Sequence, residues 1–154
     1  MDYSDSIDIL VEPGVAFAAV ADLPAMGRRS PENTGGEWLN AASGPGPGAK
    51  FRGTNAQGSS TWSTIARVTT YDPPSRFVFE VTYRGMRVSR WGFRIEPTPT
   101  GCRVTEQWKE RRNYFLRGSD DRDGAKRAQF TVGSIRTTLE QLKKELEGAD
   151  PRSG

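Results

Sequence analysis

The sequence predicts an α+β domain: a curved antiparallel sheet of about seven strands wrapped around one long C-terminal helix, with two short helices after the first strand. Two patterns carry this expectation. Apolar and aromatic residues alternate with period two from Phe51 to Trp108, broken only by short turns. The period then changes. Ala128, Val132, Ile135, Leu139, Leu142 and Leu146 follow at spacings of four and three, one apolar stripe on a helix.

Taken in order, Ile7, Ile9 and Val11 alternate as a first strand. Pro13 opens a short helix running through Phe17 and Val20 to Asp22, because proline is welcome in a first turn. A second short helix or turn covers Leu23 to Arg29. Residues 43–48, Ser-Gly-Pro-Gly-Pro-Gly, form a loop. Phe51, Gly53 and Asn55 alternate next, then Trp62, Thr64, Ala66 and Val68. Asp72-Pro73-Pro74-Ser75 turns the chain into Phe77, Phe79, Val81 and Tyr83. Arg84-Gly85-Met86 is a short hairpin loop leading to Ser89, Trp91, Phe93 and Ile95. Pro97 to Gly101 turns the chain into Cys102, Val104, Glu106 and Trp108. Short turns between successive strands make this an antiparallel meander. The final helix runs from about Gly124 to Glu147, with Gly148 as its stop. At ~24 residues it spans ~36 Å, enough to cross the sheet. Gly53, Gly85 and Gly92 are candidate bends or bulges.

Register follows from parity, since residues opposed across an antiparallel pair share a face. Pairing Tyr83 with Arg87 sets Phe79 opposite Trp91, Phe77 opposite Phe93 and Glu80 opposite Arg90. Pairing Ile95 with Cys102 sets Trp91 opposite Glu106 and Ser89 opposite Trp108. One face is aromatic. The other carries Arg67, Arg76, Arg84, Arg94, Arg103, Lys109 and Arg111 and reads as solvated.

The 154 residues are read as one domain over 1–148, followed by a disordered tail at 149–154. The net charge of +3 is too small to predict nucleic-acid binding. No apolar stretch approaches the ~20 residues of a membrane span. A single cysteine, Cys102, permits no internal disulfide and fits a cytoplasmic location; it reads as a small core residue. With no histidine, Ser-His-Asp and Cys-His catalysis and histidine zinc sites are excluded, and no metal or cofactor is expected. Carboxylates, Tyr, Ser/Thr, Arg, Lys or water must carry any chemistry.

Several motifs resemble a known superfamily. They are Ser30-Pro31-Glu32-Asn33, Gly36-Glu37-Trp38-Leu39, Gly48-Ala49-Lys50-Phe51-Arg52-Gly53-Thr54-Asn55, Trp62, Asp72-Pro73, Phe77-Val78-Phe79-Glu80-Val81 and Gly101-Cys102-Arg103-Val104-Thr105-Glu106. Together they resemble actinobacterial proteins of the SRPBCC superfamily, in its polyketide cyclase/dehydrase and lipid-transport group. The resemblance spans roughly residues 5 to 147 and implies the helix-grip fold, START-like or birch-pollen-allergen-like. It is specific for fold and weak for activity. Relatives of this type have tryptophan just before the Ser-Pro-Glu run, where this chain has Arg29. Aromatase/cyclases place Trp, Ser and Arg at alternating cavity-facing positions of one strand. Here those positions read Trp62, Thr64 and Ala66, and Arg67 falls on the outward parity.

Parity singles out Glu106 as an acid on an otherwise apolar face. Desolvation raises such a carboxyl, which then serves as a proton donor or acceptor, or stands as a buried structural acid. Tyr83 and Thr64 are candidate donors to ligand oxygens. Trp62, Phe77, Phe79, Val81, Trp91, Phe93, Val104 and Trp108 form the candidate ligand wall. Arg87 and Glu110 are expected to oppose each other at the rim, as an ion pair or a polar gate. Tyr114 and Phe115, in the stretch before the helix, read as a lid or as packing for its first turn. Arg28, Arg29 and Pro31 mark the other edge of the mouth. The function expected is binding of a hydrophobic, aromatic or polyketide-like molecule, with cofactor-independent cyclase/dehydratase chemistry at Glu106. The alternative is a non-catalytic carrier or sequestration protein for a lipid or secondary metabolite. An interaction module of the same fold is a third reading. The oligomeric state, monomer or homodimer, is left open.

Overall fold

The computed structural model describes residues 2–39, 44–112 and 121–148 of the chain. The strands are Asp2–Ile9 (β1), Asn33–Trp38 (β2), Lys50–Gln57 (β3), Ser60–Asp72 (β4), Arg76–Tyr83 (β5), Met86–Thr98 (β6) and Gly101–Glu110 (β7). They form one antiparallel sheet in the order β1-β7-β6-β5-β4-β3-β2. Helix α1 (Pro13–Ala21) and a 3-10 helix (Leu23–Arg28) follow β1, and the long helix α2 (Asp121–Gly148) closes the chain. This is the helix-grip arrangement the sequence predicts, a meander with β1 returning to pair with β7.

Three details differ from expectation. Arg84 and Gly85 both take positive φ, 51° and 80°, so the hairpin turns on two residues and Tyr83 faces Met86, not Arg87. Two left-handed residues are what a twist-matched hairpin turn requires. Val88 is then left over as a bulge, which restores the expected register beyond it. Phe79 opposes Trp91, Phe77 opposes Phe93 and Glu80 opposes Arg90. Second, β6 runs through Pro97 to Thr98 instead of turning at Pro97. Ile95 therefore opposes Val104, Trp91 opposes Trp108, and Phe93 opposes Glu106. A two-residue slip changes partners and keeps every side chain on its face. Third, Asn33–Trp38 is a strand that hydrophobic alternation does not reveal. Its Gly36 has φ 152°, and a Cβ there would strike the Arg52 carbonyl oxygen and the Phe51 ring. The glycine that hides the strand from pattern reading is the one that lets it pair closely with β3. The register shifts fall at Thr34, Thr69 and Val88, not at Gly53 or Gly92.

The solid part of the core lies at one end of the grip. Phe77, Phe93, Ile9 and Val104 from the sheet meet Ile135, Leu139 and Leu142 from α2, all essentially inaccessible. Phe17 of α1 packs edge-on against Tyr71 and Phe77, with centroids 5.5 and 6.3 Å away. Helix α2 lies chiefly against β1 and β7. Its C-terminal half is fastened there: Lys143 Nζ donates to the Asp8 carbonyl at 2.8 Å, and Glu147 accepts from the Leu10 N–H at 3.0 Å. The inner faces of β3 to β6 are therefore only partly covered. On the outer face Arg67, Arg76, Arg84, Arg94, Arg103 and Lys109 are exposed, and Arg111 is partly buried. Among the described residues no helix is long and apolar enough to cross a membrane.

Candidate ligand cavity

Where α2 leaves the sheet uncovered, a cavity remains, with about 130 Å³ open to the centres of water-sized molecules. One water needs ~10–15 Å³ on that measure, so the space admits a small organic molecule. Its sheet wall is aromatic: Phe51, Trp62, Phe79, Trp91 and Trp108. Trp91 and Trp108 lie side by side, centroids 6.4 Å apart. The opposite wall is different. Thr131, Ser134 and Thr138 of α2, spaced by three and four residues, turn a line of hydroxyls toward the cavity. Leu23 and Met26 of the 3-10 helix close one side.

Glu106 is set into the sheet wall. It is 3% exposed, and its Oε1 has no hydrogen-bond partner. Burial, and secondarily the negative charge of Asp5, push its carboxyl up to about 8. At neutral pH it is a protonated acid that can donate a hydrogen bond into the cavity. Two separate polar contacts stand elsewhere in the lining. Trp91 Nε1 donates to Ser89 Oγ at 3.0 Å, and Asn55 Nδ2 donates to Thr64 Oγ1 at 3.2 Å. At the mouth, Arg127 of α2 pairs with Glu32 at 2.7 Å, and Arg112 pairs with Glu110 at 3.0 Å. Among the described residues no cluster of His, Cys, Asp or Glu has the makings of a metal site.

Residues 2–147 match the family described as polyketide cyclase/dehydrase and lipid transport. The chain belongs to that family. No curated protein matches it. Among solved structures, it is similar to the Polyketide_cyc-like protein Cgl2372 of Corynebacterium glutamicum, at 28% identity and TM-score 0.64, covering 97% of this chain and 96% of that one. It is similar in fold to the di-domain ARO/CYC protein StfQ of the steffimycin biosynthetic pathway, at 14% identity and TM-score 0.73, covering 96% of this chain and 52% of that one. Protein NE0264 of Nitrosomonas europaea gives 11% identity and TM-score 0.70, covering 96% and 95%. Membership of the polyketide cyclase/dehydrase and lipid transport family, with an aromatic cavity, supports a hydrophobic ligand-binding role.

Against that family background, the structure sorts the residues expected from sequence. Thr64, Trp62, Phe79, Val81, Trp91, Glu106 and Trp108 line the cavity. Phe77, Phe93 and Val104 do not; they share the inner parity but lie under α1 and α2 in the packed core. Tyr83 stands at the β5 hairpin end, outside the cavity wall. Arg87 does not oppose Glu110. The Val88 bulge turns it to the outer face, where its charge helps lower Glu80, and Ser89 takes the position opposite Glu110. Tyr114 and Phe115 lie outside the described residues, as do residues 149–154. Ala66 lines the cavity where the resemblance leads one to expect arginine, and Arg67 is exposed. Arg29, expected at the edge of the mouth, does not line the cavity. Its side chain is 3% exposed, donating to Glu145 at 2.8 Å and to the Ala19 carbonyl at 2.9 Å. Arg28 adds a second contact to Glu145 at 2.6 Å, and the two guanidiniums hold that carboxyl down at about 2. Sequence reasoning missed the α2 hydroxyls, Asn55, Ser89 and the Glu32–Arg127 pair. Only the hydroxyl spacing was there to be read.

Proposed function

We propose that this protein holds a flat, hydrophobic, oxygen-bearing molecule of aromatic or polyketide type in its cavity, and that Glu106 exchanges a proton with it. One observation carries the reading: a buried carboxyl with an unpartnered oxygen set into the aromatic sheet wall of the cavity. Leaving a buried polar atom unsatisfied is costly, so a site that does so suits a ligand that supplies the partner. A ligand carbonyl facing Glu106 would accept its proton. As the enol carbon of the chain attacks that carbonyl, Glu106 would give its proton to the developing alkoxide and take back the proton the enol loses, so that aldol closure balances on one carboxyl. The tilted Trp91–Trp108 pair would hold a reactive chain folded, which by itself lowers the barrier to ring closure. The chemistry needs no cofactor.

A second reading, a carrier for a lipid or secondary metabolite, is favoured by the sparseness of the acid–base set. With Tyr83 outside the wall, the other ionisable residues that line the cavity, Glu32, Arg112 and Arg127, are engaged in ion pairs. Native mass spectrometry of freshly purified protein should reveal a co-purified lipophile under either reading. The Glu106→Gln variant separates them. Loss of product with retained binding supports catalysis, and unchanged turnover removes Glu106 from the chemistry. Binding with no product from either protein leaves the carrier. The buried lone Cys102 suits a reducing compartment such as the cytoplasm.

A further inference from the structure

Glu106 does not stand alone. On β1, Asp5 occupies the position directly opposite it in the ladder, so two carboxyls face each other across one antiparallel pair. Directly opposed Cβ atoms lie ~4.5–5.5 Å apart, a spacing at which two like charges repel strongly. The two are treated unequally by their neighbours. Asp5 is partly exposed, its Oδ2 receives Arg136 Nη1 at 3.2 Å, and its Oδ1 accepts from the Ser6 N–H at 2.8 Å. Arg136 is itself held, its Nη1 donating to the Ser6 carbonyl at 3.4 Å and its Nε lying 3.2 Å from Glu140. Glu106 has the cavity on one side and Phe93 across the other ladder. Among the described residues no cation pairs with it. The remaining charges around the cavity are paired among themselves, Glu32 with Arg127 and Glu110 with Arg112.

We infer that Asp5 and Arg136 are positioning residues for Glu106: Asp5, directly opposed to it in the ladder, disfavours a second negative charge there, and Arg136, bound to Asp5 from the α2 side, partly offsets that repulsion. Pairs of acids driven apart by their surroundings are how one site holds a donor beside a charged partner. Here Asp5 faces the β1–α2 seam and Glu106 faces the cavity. The inference deepens the proposed role of Glu106 and rests on it only for its consequence, since the protonation itself is measurable in ligand-free protein.

The test is a pH titration of the Glu106 side-chain carboxyl by carbon-13 NMR in wild type, Asp5→Asn, Arg136→Gln and the outer-face control Asp8→Asn. Asp5→Asn should move the Glu106 midpoint down by about one pH unit, Arg136→Gln should move it up, and Asp8→Asn should leave it in place. Opposite signs from two substitutions in one ion pair are what a merely structural role does not produce, because that role changes melting temperature alone. Equal midpoints in Asp5→Asn and wild type, or shifts of the same sign in both variants, would overturn the inference. A Glu106 that titrates as described but shows no effect of Glu106→Gln on turnover or ligand binding would leave the electrostatic pair standing and remove the catalytic reading instead.

Discussion

Glu106 is neutral in the folded chain up to about pH 8, but in the unfolded chain it returns to the ordinary value of 4.5. Between those two values the folded state binds the extra proton. Unfolding free energy therefore falls as pH rises through this window and levels off above it. Glutamine at 106 has no such dependence. Glu106→Gln should gain stability over wild type by a few kcal/mol between about pH 5 and about pH 9, read from urea transitions at each pH. Parallel pH profiles for the two proteins would show that Glu106 is not desolvated. Glu145 works in the opposite sense. Its carboxyl is held at about 2 by Arg29 first and Arg28 second, so the stability it contributes is present above 4.5 and lost as pH falls toward 2. Glu145→Gln would leave a buried guanidinium without its counter-charge, with the Ala19 carbonyl and one amide oxygen as acceptors. Breaking a buried pair from one side costs ~3–5 kcal/mol, and Glu145 is 33% exposed, so a loss of ~2–3 kcal/mol is expected in urea.

At the level of elements, the β5–β6 hairpin carries its own strain. Arg84 is a non-glycine residue at positive φ, in a turn whose first position favours asparagine. Arg84→Asn should raise stability by about 0.5–1 kcal/mol without touching the cavity, measurable by thermal melting. Helix α2 has two buried stripes. Its apolar one, Ile135, Leu139 and Leu142, was legible from spacing alone. The adjacent hydroxyl stripe was not, because serine and threonine carry no weight in an apolar count even when they repeat at the same interval. Filling that side should separate packing from binding. Ser134→Leu is expected to keep or raise the melting temperature while abolishing uptake of a planar aromatic probe, followed by tryptophan quenching of the Trp91–Trp108 pair. Retained uptake would place the ligand elsewhere. Strand β2 escaped pattern reading for a related reason, since Gly35 and Gly36 have no side chains to alternate.

Taken as one molecule, the protein shows how far parity reaches. The inner face was readable because a strand's side chains alternate whatever its register, so Trp91, Trp108 and Glu106 kept their side despite the slip at Pro97. What parity cannot give is depth along the strand. Phe77 and Phe79 are two residues apart on one face, yet the first is sealed under α1 and the second meets the cavity. That boundary is drawn by where α1 and α2 lie, a long-range fact absent from any local window. Charge behaves likewise. With no histidine in the chain, Glu106 is the side chain among the described residues whose titration is displaced into the neutral range. Any change of side-chain origin in ligand affinity or melting temperature between about pH 5 and pH 8 is expected to disappear in Glu106→Gln.

The fastening of α2 is lopsided. Arg29 grips Glu145, Lys143 reaches the β1 backbone, and Leu139 and Leu142 are sealed, all toward one end. Toward the other, the Arg127–Glu32 pair pins it across the cavity, while Thr131 and Ser134 look onto open space beneath them. Such a rod is supported like a plank, clamped along one end and pinned near the other. Deuterium uptake should climb along it from Leu142 back to Thr131, and a guest molecule seated against the hydroxyls should flatten that gradient.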